Sequence, residues 1–543
     1  MSILSIALAV IAIFTVAYLV YGRVLRREFG LDDARVTPAH QVNDGVDYVP
    51  TTLPILLAQH FSSIAAAGPI VGPVLAGLWF GWLPALLWIV LGNILIGALH
   101  DFASLTASLR HNARSIAEVV KEEMGRVAYL SFLAFIWISL IYVIIAFTDL
   151  TASTFVAREV ESGASGGGVA ASSILYLLLS VGLGWLMTQR RVPLGIATAI
   201  ALPLLVFVIW IGPKIPITLP DLPFLPAAKG WAVMILFYCS VASILPLWMM
   251  LQPRGYLGGF FLYAMLAIGL IGLFFGGYQA NYPAFIGFTS TKGLPLFPML
   301  FITVACGACS GFHGLVCSGT SSKQLEKESD AHAVGYGGML LEGLVAVVAL
   351  ATVMMFAPGD PTLKKGPTEI FASGLARFAN VLGVPMGMAM SFSLLAFATF
   401  VYDTLDVATR LGRYIFQELT GWEGTRGRVV GTLATLALPL FVLLTTKEQA
   451  YLALWPLFGA SNQLFAAMSL LGISVWRART GQRTLYTLLP MLFILTMTLW
   501  ALARFVTQGG VNAIVSGVMI AIAVFLIVSA LQVTTSRRAP EQE

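Results

Sequence analysis

Charge is what this sequence of 543 residues has least of. Asp, Glu, Lys and Arg together make 10% of it, where a soluble domain carries about 25%. That deficit excludes a soluble enzyme, a disordered chain and a nucleic-acid binder. Cysteine is scarce too. All four cysteines fall in apolar segments, so no disulfide framework is expected. A basic stretch ahead of the first apolar run is also missing, since Arg23, Arg26 and Arg27 come after it. Residues 1–22 therefore read as an uncleaved first helix with its N-terminus outside, not as a cleavable signal.

Hydrocarbon takes the place of charge. Hydrophobic residues make 58% of the chain and the mean hydropathy is +0.87, enough for about fifteen membrane helices of about 20 residues. The apolar spans read 2–22, 54–79, 82–109, 127–152, 171–188, 193–211, 230–251, 258–279, 297–322, 335–357, 381–408, 429–445, 449–475, 486–503 and 511–531. All 31 Lys and Arg fall between these spans. Of them, 22 lie in loops that an outside N-terminus makes internal, so the positive-inside rule places the C-terminus inside. The fold class expected is an all-α polytopic membrane protein. A pI near 9.0 needs no acidic partner. The loops leave no room for a soluble domain. Two of them hold candidate interfacial helices: one after the capping box Ser115 to Glu118, and one over 368–382 with Ile370, Phe371, Leu375 and Phe378 at helical spacing.

Two spans are wrong for plain helices. Span two carries Gln59-His60-Phe61-Ser62-Ser63, then Gly68-Pro69 and Gly72-Pro73. Proline removes a backbone donor and clashes with the turn before it. Span nine carries Cys306-Gly307-Ala308-Cys309-Ser310-Gly311-Phe312-His313-Gly314, then Ser318-Gly319-Thr320-Ser321-Ser322. Both are expected to unwind at membrane depth, where irregular backbone is tolerated only against protein or a water-filled cavity. They lie seven spans apart, so they run in opposite directions. The chain then divides into a leading helix 1–22, a first inverted repeat 54–279, a second 297–531 and a cytoplasmic tail 532–543. Paired broken helices in inverted repeats point to a secondary transporter with a site near mid-membrane.

Polar groups inside the spans are few. His60, His100 and His313 lie within them, while His40, His111 and His332 fall in loops. The intramembrane acids are Asp101, Asp149, Glu342, Asp403 and Asp406, with no Lys or Arg embedded to neutralise them. Asp403 and Glu342 are the candidates for ion coupling. Asp101 beside His100 is placed near the inner end of span three, as an interfacial or gating pair. Asp406 is expected to pair with Arg410, four residues on, and Asp149 to be hydrated. Cys306, Cys309 and His313 share a helical face but supply only three ligands, so no metal is expected. Thr320-Ser321-Ser322-Lys323 is no better as a serine–lysine catalytic pair, and no cofactor is called for. Ser461, Asn462 and Gln463 in span thirteen either bond neighbouring helices or coordinate a substrate or cation.

These segments together resemble the carbon starvation protein A family. The resemblance is carried by Pro38-Ala39-His40 with Asn43-Asp44-Gly45-Val46-Asp47-Tyr48-Val49-Pro50, by Gln59 to Ala65, and by Gly68-Pro69-Ile70-Val71-Gly72-Pro73. It continues in Leu99-His100-Asp101-Phe102, Ser310-Gly311-Phe312-His313, Gly319 to Gln324 and Phe458 to Gln463. It implies a multi-pass transporter of the bacterial inner membrane, related to the amino acid–polyamine–organocation superfamily. Such a transporter has a LeuT-like core whose discontinuous helices are spans two and nine. The implied activity is peptide uptake during carbon starvation, or proton-coupled uptake of pyruvate. The expected partners are a small-molecule substrate (peptide or pyruvate), H+ or alternatively Na+ as coupling ion, and the lipid bilayer. The expected substrate site gathers His60, Ser62, Ser63, Gly68, Ser310, Gly311, His313, Ser318, Thr320, Ser461 and Asn462, with Asp403, Glu342, Asp101 and His100 as coupling groups.

Overall fold

The structure is a computed structural model that describes residues 1–44, 48–65, 67–157, 165–245, 249–422, 424–446 and 451–536. Gly45, Val46 and Asp47 of the resemblance motif, and the tail from 537 onward, lie outside the described residues. The chain begins with α1 (Ile3–Leu19), α2 (Tyr21–Glu28) and the short α3 (Pro38–Val42). Then come α4 (Leu53–Ile64), α5 (Gly68–Phe80), α6 (Trp82–Gly92), α7 (Ala98–Arg110), α8 (Ile116–Met124) and α9 (Arg126–Val156). Next are α10 (Gly166–Thr188), α11 (Leu194–Ile211), α12 (Ala227–Ile244), α13 (Leu251–Phe275), α14 (Leu296–Thr303) and α15 (Gly311–Gly319). The last are α16 (Gly338–Met354), α17 (Pro367–Asn380), α18 (Met386–Thr420), α19 (Gly424–Thr445), α20 (Tyr451–Arg479), α21 (Leu485–Gln508) and α22 (Gly510–Ser536). Among the described residues no strand forms, as a bilayer demands of a chain that does not close a barrel.

Among the described residues, thirteen helices are long and apolar enough to cross a membrane, or fourteen with the bent pair α4–α5 counted as one. The axes of that pair differ by 48°. The stretch 297–322, expected as one span that unwinds midway, is two short helices, α14 and α15, with residues 304–310 between them. Residues 532–536, expected as the start of a tail, continue α22.

Burial separates inner from outer helices. All of the most apolar stretch of Leu454–Arg479 is buried, against 28% of that in Leu194–Lys214 and in Asn512–Thr535. Thus α20 belongs to the packed interior, and α11 and α22 face lipid. Ser115 caps α8 by accepting from the Glu118 N–H, and Gly125, at φ +90°, ends it and turns the chain into α9. The segment expected at the interface over 368–382 is instead enclosed. Ile370, Phe371, Leu375 and Phe378 of α17 are all fully buried, and α17 packs between α18, α13, α16 and α5. Its apolar face meets helices, not lipid.

Candidate functional site

The break after α4 lies against the break after α14. A Cβ on Gly68 would stand 2.3 Å from the Cys306 sulfur, and one on Gly72 2.6 Å from the Thr303 carbonyl oxygen. Only glycine permits that approach. The half-helices α5 and α15 both start at the breaks, so two positive dipole ends lie beside the break contact, although Ile70 and Val71 already donate to the Ala67 carbonyl. Backbone freed by the second break is satisfied from the side. Gln463 Nε2 donates to the Phe301 carbonyl at 2.8 Å, Trp455 Nε1 to Thr303 at 3.2 Å, Trp88 Nε1 to Val304 at 3.1 Å and Asn93 Nδ2 to Gly307 at 3.4 Å.

Asn462 closes the start of α15. Its Oδ1 accepts from the Phe312 N–H at 3.0 Å, while its Nδ2 donates to the Ser310 hydroxyl at 3.0 Å and to the Cys306 sulfur at 3.2 Å. Of the two roles open to Ser461, Asn462 and Gln463, bonding within the helix bundle is the one formed here, with Ser461 turned onto the Phe458 carbonyl. Gly311 packs directly on α20, where a Cβ would meet the Asn462 carbonyl at 2.4 Å. The cavity bounded by Ser139, Phe312, Ser461 and Asn462 measures about 10 Å³, space for a single water.

Beside the breaks runs a buried chain of charge. His100 Nδ1 lies 2.8 Å from Asp101 Oδ1, and His313 Nδ1 lies 2.9 Å from Asp101 Oδ2. A carboxylate only accepts, so both imidazoles donate through Nδ1. The other nitrogen of His313, Nε2, faces Glu342 Oε2 at 3.3 Å. Glu342 has no hydrogen bond among the described residues. His60 Nδ1 meets the Ser321 hydroxyl at 2.8 Å, which ties α4 to the turn that follows α15. All of these residues except Ser321 are at most 1% exposed. Asp101, expected near the membrane surface, is therefore the hub of the interior, because α7 leads it inward between α15 and the stretch before α16.

The other expected site residues sit apart from this chain. Ser62 and Ser63 both bond back to the Gln59 carbonyl of their own helix. Ser318 donates to the Gly314 carbonyl and accepts from the Ile116 N–H, joining α15 to α8. Thr320 is exposed. Lys323 lies over the ring of Tyr48 rather than against a serine.

A second buried centre corrects the expectation that no Lys or Arg is embedded. Arg254, fully buried in α13, donates through Nε to Asp403 Oδ1 at 2.7 Å and pairs through Nη1 with Asp406 Oδ2 at 2.5 Å. The Tyr238 hydroxyl completes the ring by accepting from Arg254 and donating to Asp406. Pro253 and Gly255 make the stretch around Arg254 read as a loop. In the fold Pro253 lies in the first turn of α13, where its missing N–H costs nothing. Arg410 does not pair with Asp406. It donates to the Ala242 and Leu245 carbonyls, and Arg413 donates to Ser243, so the two arginines cap the C-terminal end of α12. Asp149 is not merely hydrated: it accepts from the Tyr451 N–H at 2.8 Å at the start of α20. His332, expected in a loop, is stacked on Tyr18 and Tyr336. Sequence reasoning missed Arg254 and Tyr238; an arginine four residues from the next apolar span was the available signal.

Two broken helices meeting beside buried, incompletely bonded ionisable groups, in a bundle of membrane-length helices, define a multi-pass membrane transporter. The chain belongs to the carbon starvation protein CstA family, whose family model matches residues 2–362 and 360–501. It is similar to the peptide transporter CstA of Helicobacter pylori (strain ATCC 700392 / 26695), at 31% identity over 99% of this chain and 87% of that one. It is also similar to the pyruvate/proton symporter BtsT of Escherichia coli (strain K12), at 31% identity over 92% of this chain and 81% of that one. A manganese transporter of Eremococcus coleocola aligns over 90% of this chain and 99% of its own, at 15% identity and a TM-score of 0.46. That likeness is too loose to bear on function.

Proposed function

We propose that the protein imports peptides across the bacterial inner membrane during carbon starvation, as a secondary transporter working by alternating access and coupled to protons. The observation that carries the coupling is the chain Asp101–His313–Glu342. His313 faces an acid with each ring nitrogen, so a single proton on Glu342 or on His313 Nε2 switches the pair between two neutral groups and an ion pair. The chain joins α7, α15 and α16, so that switch alters the hold on the second broken span. Asp403, already held by Arg254, is the weaker candidate, and Glu342 takes its place.

The substrate carboxylate is placed at the facing starts of α5 and α15, where helix N-termini favour anions. Glu342 then supplies an acceptor for the α-ammonium of a peptide. An inverted-repeat, LeuT-like organisation with an outside N-terminus agrees with the seven-span separation of the breaks. It also agrees with a π-helical stretch at 93–97 and another at 332–337, one following each broken span. Pyruvate is the second reading, favoured by the equal identity to a pyruvate/proton symporter. Sodium is the alternative coupling ion.

Proteoliposomes with an imposed pH gradient test this reading, with di- and tripeptides and pyruvate as labelled substrates and a sodium gradient as a separate arm. Accumulation of chemically unchanged peptide is expected, and it also argues against a membrane-embedded enzyme. No accumulation above protein-free vesicles overturns transport. In Glu342→Gln, gradient-driven uptake should fall at least tenfold while substrate exchange persists. Equal loss of both would remove Glu342 from the coupling role.

A further inference from the structure

Three groups with metal-ligand chemistry converge where α4, α7 and α15 meet. One ligand atom each from His60, Asp101 and Cys317 lies within 4.8 Å of the other two, and all three residues are buried. These are not the cysteines that the spacing in span nine brings forward. Cys306 accepts from Asn462, and Cys317 stands eleven residues further on, inside α15, outside any disulfide.

A second observation makes the cluster more than a coincidence of burial. His60 Nδ1 is occupied by Ser321, and its Nε2 has no partner among the described residues although the side chain is 1% exposed. A buried polar nitrogen without a partner is expensive. A bound cation satisfies it when the tautomer has its proton on Nδ1, donated to the serine, and its lone pair on Nε2. Asp101 is prepared in the same way. Each of its oxygens accepts one imidazole N–H and keeps a further lone pair. Such outer hydrogen bonds orient metal ligands and fix their direction.

We infer that His60 Nε2, the Asp101 carboxylate and the Cys317 thiolate bind a divalent transition-metal ion of the zinc, cobalt or nickel type. The mixed nitrogen, oxygen and sulfur set excludes magnesium and calcium, which take oxygen ligands. Tetrahedral ligands around such an ion stand roughly 3.3–3.8 Å apart, given metal–ligand bonds of about 2.0–2.3 Å, so groups already within 4.8 Å of one another need close by no more than roughly 1.5 Å. Three protein ligands leave the fourth position open to water or to a substrate group. Cys317 loses its proton on binding and the proton leaves to solvent. The ion fastens α4 to α15, one half of each broken span, and so holds the core in one conformation.

Cobalt titration of the purified full-length protein tests this directly. A tetrahedral cobalt spectrum with a near-ultraviolet sulfur-to-cobalt band is expected. Cys317→Ser should abolish that band, Cys309→Ser should keep it, and His60→Gln should weaken cobalt binding at least tenfold. Cobalt should inhibit peptide exchange in the wild type and not in Cys317→Ser, whose exchange in metal-free buffer is unchanged. A wild type without the band at saturating cobalt overturns the site, as does a band that survives Cys317→Ser in protein with an unaltered unfolding temperature. Neither outcome touches the transport reading, which is scored on metal-free uptake.

Discussion

The molecule buries two clusters of charge and treats them in opposite ways. Around Arg254, one guanidinium meets two carboxylates and a tyrosine in a closed ring carried by α12, α13 and α18. Around Asp101, the partners are histidines, and His60 Nε2, His100 Nε2 and both oxygens of Glu342 stay unmatched among the described residues, where the Arg254 cluster leaves only Arg254 Nη2 and Asp406 Oδ1 of its own charged groups buried without a partner. The first cluster lies within continuous helices, the second at the junction of two broken ones. A permanent cation fixes its neighbours, whereas imidazoles and a lone carboxyl exchange protons or ligands. Similar burial therefore accompanies a permanent ion pair in one cluster and exchangeable partners in the other.

Removing the permanent cation should give the largest effect. Arg254→Met strands Asp403 and Asp406 and is expected to destabilise the fold by about 3–5 kcal/mol, read as thermal unfolding in detergent. Adding Asp403→Asn and Asp406→Asn should restore most of the loss. An unfolding temperature unchanged in Arg254→Met would erase the contrast between the clusters. Next comes the contact between the breaks. Gly68→Ala pushes a methyl into Cys306 and should cost about 1–3 kcal/mol, with uptake lost. Gly255→Ala, with nothing within 4 Å of the added atom, should be tolerated. Asn462→Ala uncaps α15 for about 1 kcal/mol, while Ser461→Ala should change stability little; equal effects would show that the cap is not what Asn462 contributes.

The smallest effect lies just past the end of α7, at His111, a buried ring beside an exposed carboxylate. Burial disfavours its cation, but the Glu123 carboxylate 3.7 Å from Nε2, the hydrogen bond from Nδ1 to the Ala107 carbonyl and the charge of Glu122 outweigh it and raise its pKa above the usual 6.5. The stability it adds is complete below pH 6.5 and is lost as pH rises through the higher folded-state value. The gap in unfolding temperature between wild type and His111→Gln should therefore narrow from pH 6 to pH 8. The gain stays below about 1 kcal/mol because Glu122 is solvent-exposed. A gap that widens with pH would show that the neutral ring is the stabilising form.

Much of this was legible in the residues. Gly-Pro pairs and a glycine-rich run announce broken helices because their backbone chemistry is local. The extended apolar runs announce spans for the same reason. Pairings across the bundle were not legible. Nothing near Asp406 in the chain distinguishes Arg410, one turn away, from Arg254, which is remote in sequence and adjacent in space. The same holds for Asp101, whose depth depends on how α7 packs, and for Cys317, whose neighbours come from α4 and α7. Ser62 and Ser63 show the converse: polar residues in the right segment spend their hydroxyls on their own helix.

Asn462 has a consequence for selectivity. Its amide oxygen already occupies the positive end of α15, so any incoming anion competes with a tethered neutral group at very high local concentration. Displacing it removes one hydrogen bond, about 0.5–1.5 kcal/mol, from the affinity of every entrant. A solute with several other contacts absorbs that penalty. In the transport reading proposed above, a chloride ion, with a single point of attachment, does not.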